Sequence, residues 1–165
     1  MPDCRSKRGF VLIATSIALV ILIALAGLGI DMGRMYLIKS ELQAFADAAA
    51  LSAALRLDGS EQGIEGARQA PAELAAGPNA MKWDMGTRAI TETSTSFAKG
   101  ETAPDPKTWQ VDPKSASELR FVRVVASAQA PVIFLRAFQP MKTDATLVAA
   151  SSVAVKTPQS ARLIQ

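Results

Sequence analysis

Residues 10–30 read FVLIATSIALVILIALAGLGI, and this stretch decides the architecture. It contains no charged residue and no proline. About 20 apolar residues in an α-helix cross a bilayer core of roughly 30 Å. A crossing segment must be helical, because lipid offers its backbone groups no hydrogen-bond partner. Arg5, Lys7 and Arg8 precede the run with a single acid, Asp3, and the next charges are Asp31 and Arg34. A positive cluster before a span keeps that end in the cytoplasm. The sequence therefore predicts a cytoplasmic amino terminus and an exported remainder.

Three readings of the run stay open. It is a permanent anchor, or a secretory signal cut after the small-x-small triplet Ala24-Leu25-Ala26. Otherwise it is a pilin-like helix freed by cleavage between Gly9 and Phe10. Two features speak against particular alternatives. The run is long for a signal peptide, whose apolar core is usually about 7–15 residues. Type IV pilins usually carry Glu at the fifth position after the cut, where this chain has Ala14.

Composition narrows the rest. The chain has 165 residues, no histidine and one cysteine, Cys4. These counts exclude histidine-containing triads, a Cys/His zinc site and a disulfide framework. The net charge of +3 owes most of its excess to the tail before Phe10, leaving no clustered basic face for nucleic acid. An apolar share of 49% against 20% charged argues against a wholly disordered chain.

Downstream of the span the chain continues GIDMGRMYLIKSELQAFADAAALSAALRLDG, residues 29–59. No proline occurs from Asp31 to Asp58, and alanine and leucine, both good helix formers, dominate. Met35, Ile38, Leu42, Phe45 and Ala49 recur at spacings of three and four, so they share one helical stripe. Span and stripe together predict one helix of about 48 residues, roughly 70 Å long, with Gly59 suited to end it. Ala44, Ala46, Ala48, Ala49, Ala50, Ala53 and Ala54 make this helix thin. A thin helix accepts close neighbours, either from its own domain or from helices of other subunits.

These residues resemble the TadE/TadG-like proteins of the Tad (Flp) pilus-assembly machinery. The resemblance begins at Arg8-Gly9, runs through the span and is sharpest at Gly29-Ile30-Asp31-Met32-Gly33-Arg34-Met35-Tyr36. It continues through Leu42-Gln43 and Ala46-Asp47-Ala48-Ala49-Ala50-Leu51. It implies that Gly29, Asp31, Gly33, Arg34, Tyr36, Leu42, Gln43, Asp47, Ala48, Ala49 and Ala50 form a helix-packing motif, with Gly9-Phe10 as the candidate leader bond. A softer likeness covers an Ala/Gly-rich helix ending near Asn79, a late strand, the stretch PVIFLRAF and a last strand. TadG-like proteins often carry a von Willebrand factor A-type domain; 165 residues leave no room for one, and D-x-S-x-S is missing.

Residues 60–76, SEQGIEGARQAPAELAA, predict a second helix with Ser60 as its cap and Pro71 kinking or splitting it. Gly77-Pro78-Asn79 marks a turn, and Trp83 beyond it reads as a core plug. Strands are expected over Arg88–Ala98 and Leu119–Gln129, a short one over Thr108–Val111, and a last one over Thr143–Lys156. Val132–Phe138 reads as a short helix or turn carrying an apolar plug. The order is α+β: a transmembrane helix continuing into a long Ala-rich helix, packed on a small, mainly antiparallel sheet. The expected divisions are a basic tail (1–9), the span (10–30), a juxtamembrane helix (31–58), an exported α+β domain (59–157) and a loose tail (158–165).

No catalytic constellation emerges. G-x-S-x-G, a Walker loop and H-E-x-x-H are missing. Asp105 and Asp112 lie among prolines and read as solvated turn residues, and Ser94, Ser96 and Lys99 lack any oxyanion partner. Asp31 reads as marking the membrane–water boundary and facing water; its functional alternative is pairing with Arg34 or a neighbouring subunit. The expected protein is a non-enzymatic, cofactor-free, single-span component of a pilus-assembly or secretion apparatus in a bacterial inner membrane. Its expected partners are lipid, other pilus-assembly or pilin-like proteins and further copies of itself, not nucleic acid. A filament subunit, or an exported binding domain with a cleaved signal, are the alternatives.

Overall fold

The computed structural model describes residues 4–76, 90, 92–102, 104–138, 145–157 and 161–164. The turn at 77–79, Trp83 and the expected strand starts at Arg88 and Thr143 lie outside them. Helix α1 runs unbroken from Cys4 to Arg56, so the apolar run and the Ala-rich segment are one helix. Helix α2 spans Glu61–Ala76, followed by β1 (Glu92–Lys99), β2 (Leu119–Pro131), the single turn α3 (Leu135–Phe138), β3 (Ala145–Lys156) and β4 (Ala161–Ile164). The architecture is α+β.

The strands form one antiparallel sheet in the order β1-β2-β3-β4, three long strands and a short fourth. The longest pairing sets Phe121 opposite Val155 and Pro131 opposite Ala145. Four details depart from the sequence reading. Thr108–Val111 forms no strand of its own; Gln110 makes a single bridge to Phe97, exchanging two backbone bonds of 2.8 Å. Pro131 is the last residue of β2 rather than the stop before it. The expected loose tail supplies β4, whose Ala161–Ile164 pairs with Val153–Lys156, because an open strand edge offers unpaired backbone groups to any nearby chain. Pro71 does not split α2. Its ring is fully buried, which offsets the backbone bond that proline removes.

The core lies between the second half of α1 and the sheet. Ile38, Leu42, Phe45 and Ala49 of the predicted stripe are buried, and so are Ala46, Ala50, Ala53 and Ala54. They meet Val122, Val124, Ala126, Ala128 and Ala130 of β2 and Val148, Ala150 and Ala154 of β3. Alanine faces alanine and valine, so helix and sheet approach closely. Ala49 and Ala50 are thus fully buried within the protein's own core.

The carboxyl end of α1 is fixed by distant groups. Lys156 of β3 donates to the carbonyls of Leu55 (3.2 Å) and Leu57, where the helix dipole favours a cation. Gly59 turns the chain at φ 87°, and the Ser60 hydroxyl accepts from the Gly63 amide at 3.0 Å, capping α2. Arg56 reaches across to Glu73 (2.5 Å) and the Gly66 carbonyl (3.0 Å), tying the helices together. That guanidinium holds the Glu73 carboxyl below its usual range, and the Ser60 hydroxyl and amide do the same for Asp58.

Close packing at Ala49 has a measurable consequence. Adding three methylene-scale groups there overfills a dense interface, which typically costs about 1–3 kcal/mol. Ala49→Leu is expected to lower the thermal midpoint of the purified protein in detergent, while Ala44→Leu, on the exposed side, leaves it unchanged.

Candidate functional site

Residues 9–23 of α1 are all exposed. Phe10, Leu12, Val20, Leu22 and Leu25 are each 60% or more exposed, although a soluble protein would bury such residues. The window of highest hydropathy in the helix is only 6% buried. By contrast, residues from Ile38 onward press one face into the core. One continuous helix therefore joins a bare apolar rod to a packed body.

The junction is built around Asp31. Its carboxylate is fully buried, not facing water as the sequence suggested. The backbone amide of Ile133 donates to both of its oxygens (3.1 and 3.2 Å), and those of Phe134 (2.8 Å) and Leu135 (2.7 Å) donate to Oδ2. Three successive amides of the β2–β3 connection thus converge on one side chain 102–104 residues earlier. Hydrogen bonds to a charged acceptor are the stronger kind, and burying the charge is tolerable only with such pairing. One turn earlier, Gly27 lies against the Phe134 ring, and a Cβ there would overlap the ring and its own Cβ. Glycine and aspartate together seat the connection on the helix.

The other motif residues divide between inside and outside. Leu42, Ala49 and Ala50 are fully buried in the core. Gln43 is half-buried and donates to Asp47 (2.9 Å) and to the Ser151 carbonyl of β3 (3.2 Å). Lys39 donates to the Ala149 carbonyl two residues away on the same strand (3.0 Å), so α1 side chains cap that strand edge. Arg34 and Ala48 are half-buried. Gly29 and Gly33 meet nothing within 4 Å, and Tyr36 is 78% exposed. Spacings of three and four place Gly29, Gly33, Tyr36, Leu37, Ser40 and Ala44 on one outward face, which is exposed along its length. Gly9 and Phe10 are exposed on the bare part of the helix.

The Asp31 junction was missed because nothing local announces it. The one available signal was the uncharged stretch PVIFL, residues 131–135, ending at Arg136. Of the polar groups weighed for chemistry, Ser96 is buried beside Arg123 (3.2 Å), whose guanidinium lies over the Trp109 ring at 4.9 Å. Lys99 is exposed, 3.9 Å from Glu118. Asp105 is exposed and folds back on the Lys107 amide, and Asp112 binds Arg68 at 2.6 Å. Among the described residues no group of histidine, cysteine, aspartate or glutamate side chains is placed to hold a metal.

Residues 9–56 match a family model described as a putative Flp pilus-assembly TadE/G-like domain. The match supports the family that the motif resembles, and it covers the helix that carries the bare rod, the Asp31 junction and the outward face. No curated protein and no solved structure matches the chain.

Replacing Asp31 tests the junction. A buried amide left without an acceptor costs about 1–3 kcal/mol. Asp31→Ala strips three amides of their partner, so their hydrogen exchange is expected to accelerate at Ile133, Phe134 and Leu135. Amides of β2 and β3 paired deep in the sheet should exchange as before.

Proposed function

We propose that the protein is a membrane-anchored structural component of a Tad/Flp-type pilus-assembly or secretion apparatus. The observation that carries this reading is the single helix α1, apolar over residues 10–30, bare over residues 10–23 and packed into an α+β body from Ile38 onward, within a TadE/G-like match. An apolar run of that length suits a bilayer as its solvent. Residues 10–30 are the anchor in a bacterial inner membrane. The basic residues before them keep the amino terminus cytoplasmic, and the body lies on the periplasmic or extracellular side.

The protein acts by packing and not by catalysis. Its docking surface is the outward face of α1, from Gly29 and Gly33 through Tyr36 and Ser40 to Ala44. Small residues at four-residue spacing let a second helix approach closely, and Tyr36 supplies a large anchor beside them. This assigns the motif two jobs. Leu42, Ala49 and Ala50 hold the body on the helix, while Gly29, Gly33 and Tyr36 face pilus-assembly or pilin-like partners, including further copies of the chain. Gly9-Phe10 remains the bond at which a pilin-type leader would be cut.

Two measurements test the proposal. Carbonate washing is expected to leave the protein in membranes, with little of it in sheared pili. A chain beginning at Phe10 and present in pili at subunit stoichiometry would instead make it a filament subunit. Gly33→Leu is expected to cut recovery of co-purifying pilus-assembly proteins at least several-fold at an unchanged thermal midpoint. Normal recovery would remove the outward face from the proposal.

A further inference from the structure

The β2–β3 connection lies at an unexpected height along α1. Phe134 and Leu135 line an apolar cleft of about 300 Å³ whose other wall is Ala24, Leu25 and Leu28. Those three residues belong to the last two turns of the apolar run. Ala24 precedes Asp31 by seven residues, which is roughly 10 Å along the helix axis. A bilayer that covers the helix up to Ile30 therefore reaches the connection as well. Its residues suit that position: Val132 to Leu135 carry no charge, and Ile133 is 54% exposed.

Irregular backbone enters a membrane only if its polar groups are satisfied from within the protein. The Asp31 junction meets that condition for the amides of Ile133, Phe134 and Leu135, each of which donates to the buried carboxylate. Gly27 then lets the Phe134 ring press close against the span. Charge returns at Arg136.

We propose that the segment Val132–Leu135 is a second membrane contact, a wedge that enters the headgroup–acyl boundary beside the span, and that lipid acyl chains fill the cleft between Leu25, Leu28 and Phe134. The body then stands on the membrane at two points, and the wedge sets its tilt and rotation. The inference rests on the reading of residues 10–30 as the anchor, which continues directly into the cleft wall.

The test uses the full chain in phospholipid bilayers, with Cys4→Ser removing the single native thiol. A polarity-sensitive fluorophore is attached at Ile133→Cys, at Ile21→Cys within the span and at Val111→Cys on the exposed body. The Ile133 probe is expected to emit blue-shifted light, to be quenched by lipids spin-labelled near the headgroup, and to resist aqueous iodide several-fold better than the Val111 probe. Iodide quenching at Ile133 equal to that at Val111 would overturn the wedge. Resistance to iodide without lipid quenching would also overturn it, and would mean that a second copy covers the segment. If the Ile21 probe escapes quenching by lipids spin-labelled deep in the acyl chain, the anchor reading fails, and the wedge falls with it. If Ile21 is quenched and Ile133 is not, the wedge alone fails.

Discussion

The close contact between an alanine-lined helix and a sheet of small residues governs everything else in this molecule. Ala46, Ala49, Ala50, Ala53 and Ala54 bury little area each, so the body cannot rely on large side chains for cohesion. It relies on dense packing at short distance, with Leu42 and Phe45 filling what space remains. The helix that makes this contact is uninterrupted from Cys4 to Arg56. It carries the apolar rod of residues 10–30 out of the body, so rod and body are parts of the same helix.

Hydrogen bonds from distant strands hold this arrangement at both ends of the packed half. At the membrane-proximal end Asp31 gathers three amides from the β2–β3 connection. At the far end Lys156 of β3 closes the last carbonyls of α1. Between them Lys39 and Gln43 bind carbonyls along one edge of β3. Lys39 and Gln43 thus hold two carbonyls near the middle of β3, and Lys156 ties its far end to α1, which helps fix helix and sheet in register. An uncovered strand edge invites pairing with other chains, and here part of it is used up by the helix.

The TadE/G-like match gains a physical division of labour from this geometry. The motif occupies one helix, but its residues point in opposite directions. Leu42, Ala49 and Ala50 are consumed by the fold, Asp31 by the junction, and Gly29, Gly33 and Tyr36 remain outside. Of the two neighbours that alanine content left open, the protein's own domain occupies this face. The outward face carries glycine, serine and alanine as well, so its availability follows from what the sheet leaves open and not from composition.

Much of this was legible in the residues. Periodicity placed the buried stripe of α1, uncharged length set the rod apart, and β-branched runs located β2 and β3. Ser60 and Gly59 marked the break between helices, because capping and positive φ are local matters that a few neighbouring residues decide. Pro71 misled, since its cost is local while the burial that offsets it is not. The tail after Lys156 misled because nothing in Ala161–Ile164 announces a strand until an open edge lies beside it. The sequence by itself determined that a long apolar helix leads into an alanine-rich one and that helices precede a sheet. Only the tertiary structure decided which side of that helix stays open, and that Asp31 is buried under amides more than a hundred residues away. Chain connectivity encodes local preference, whereas burial and pairing between remote segments depend on where the whole chain folds back.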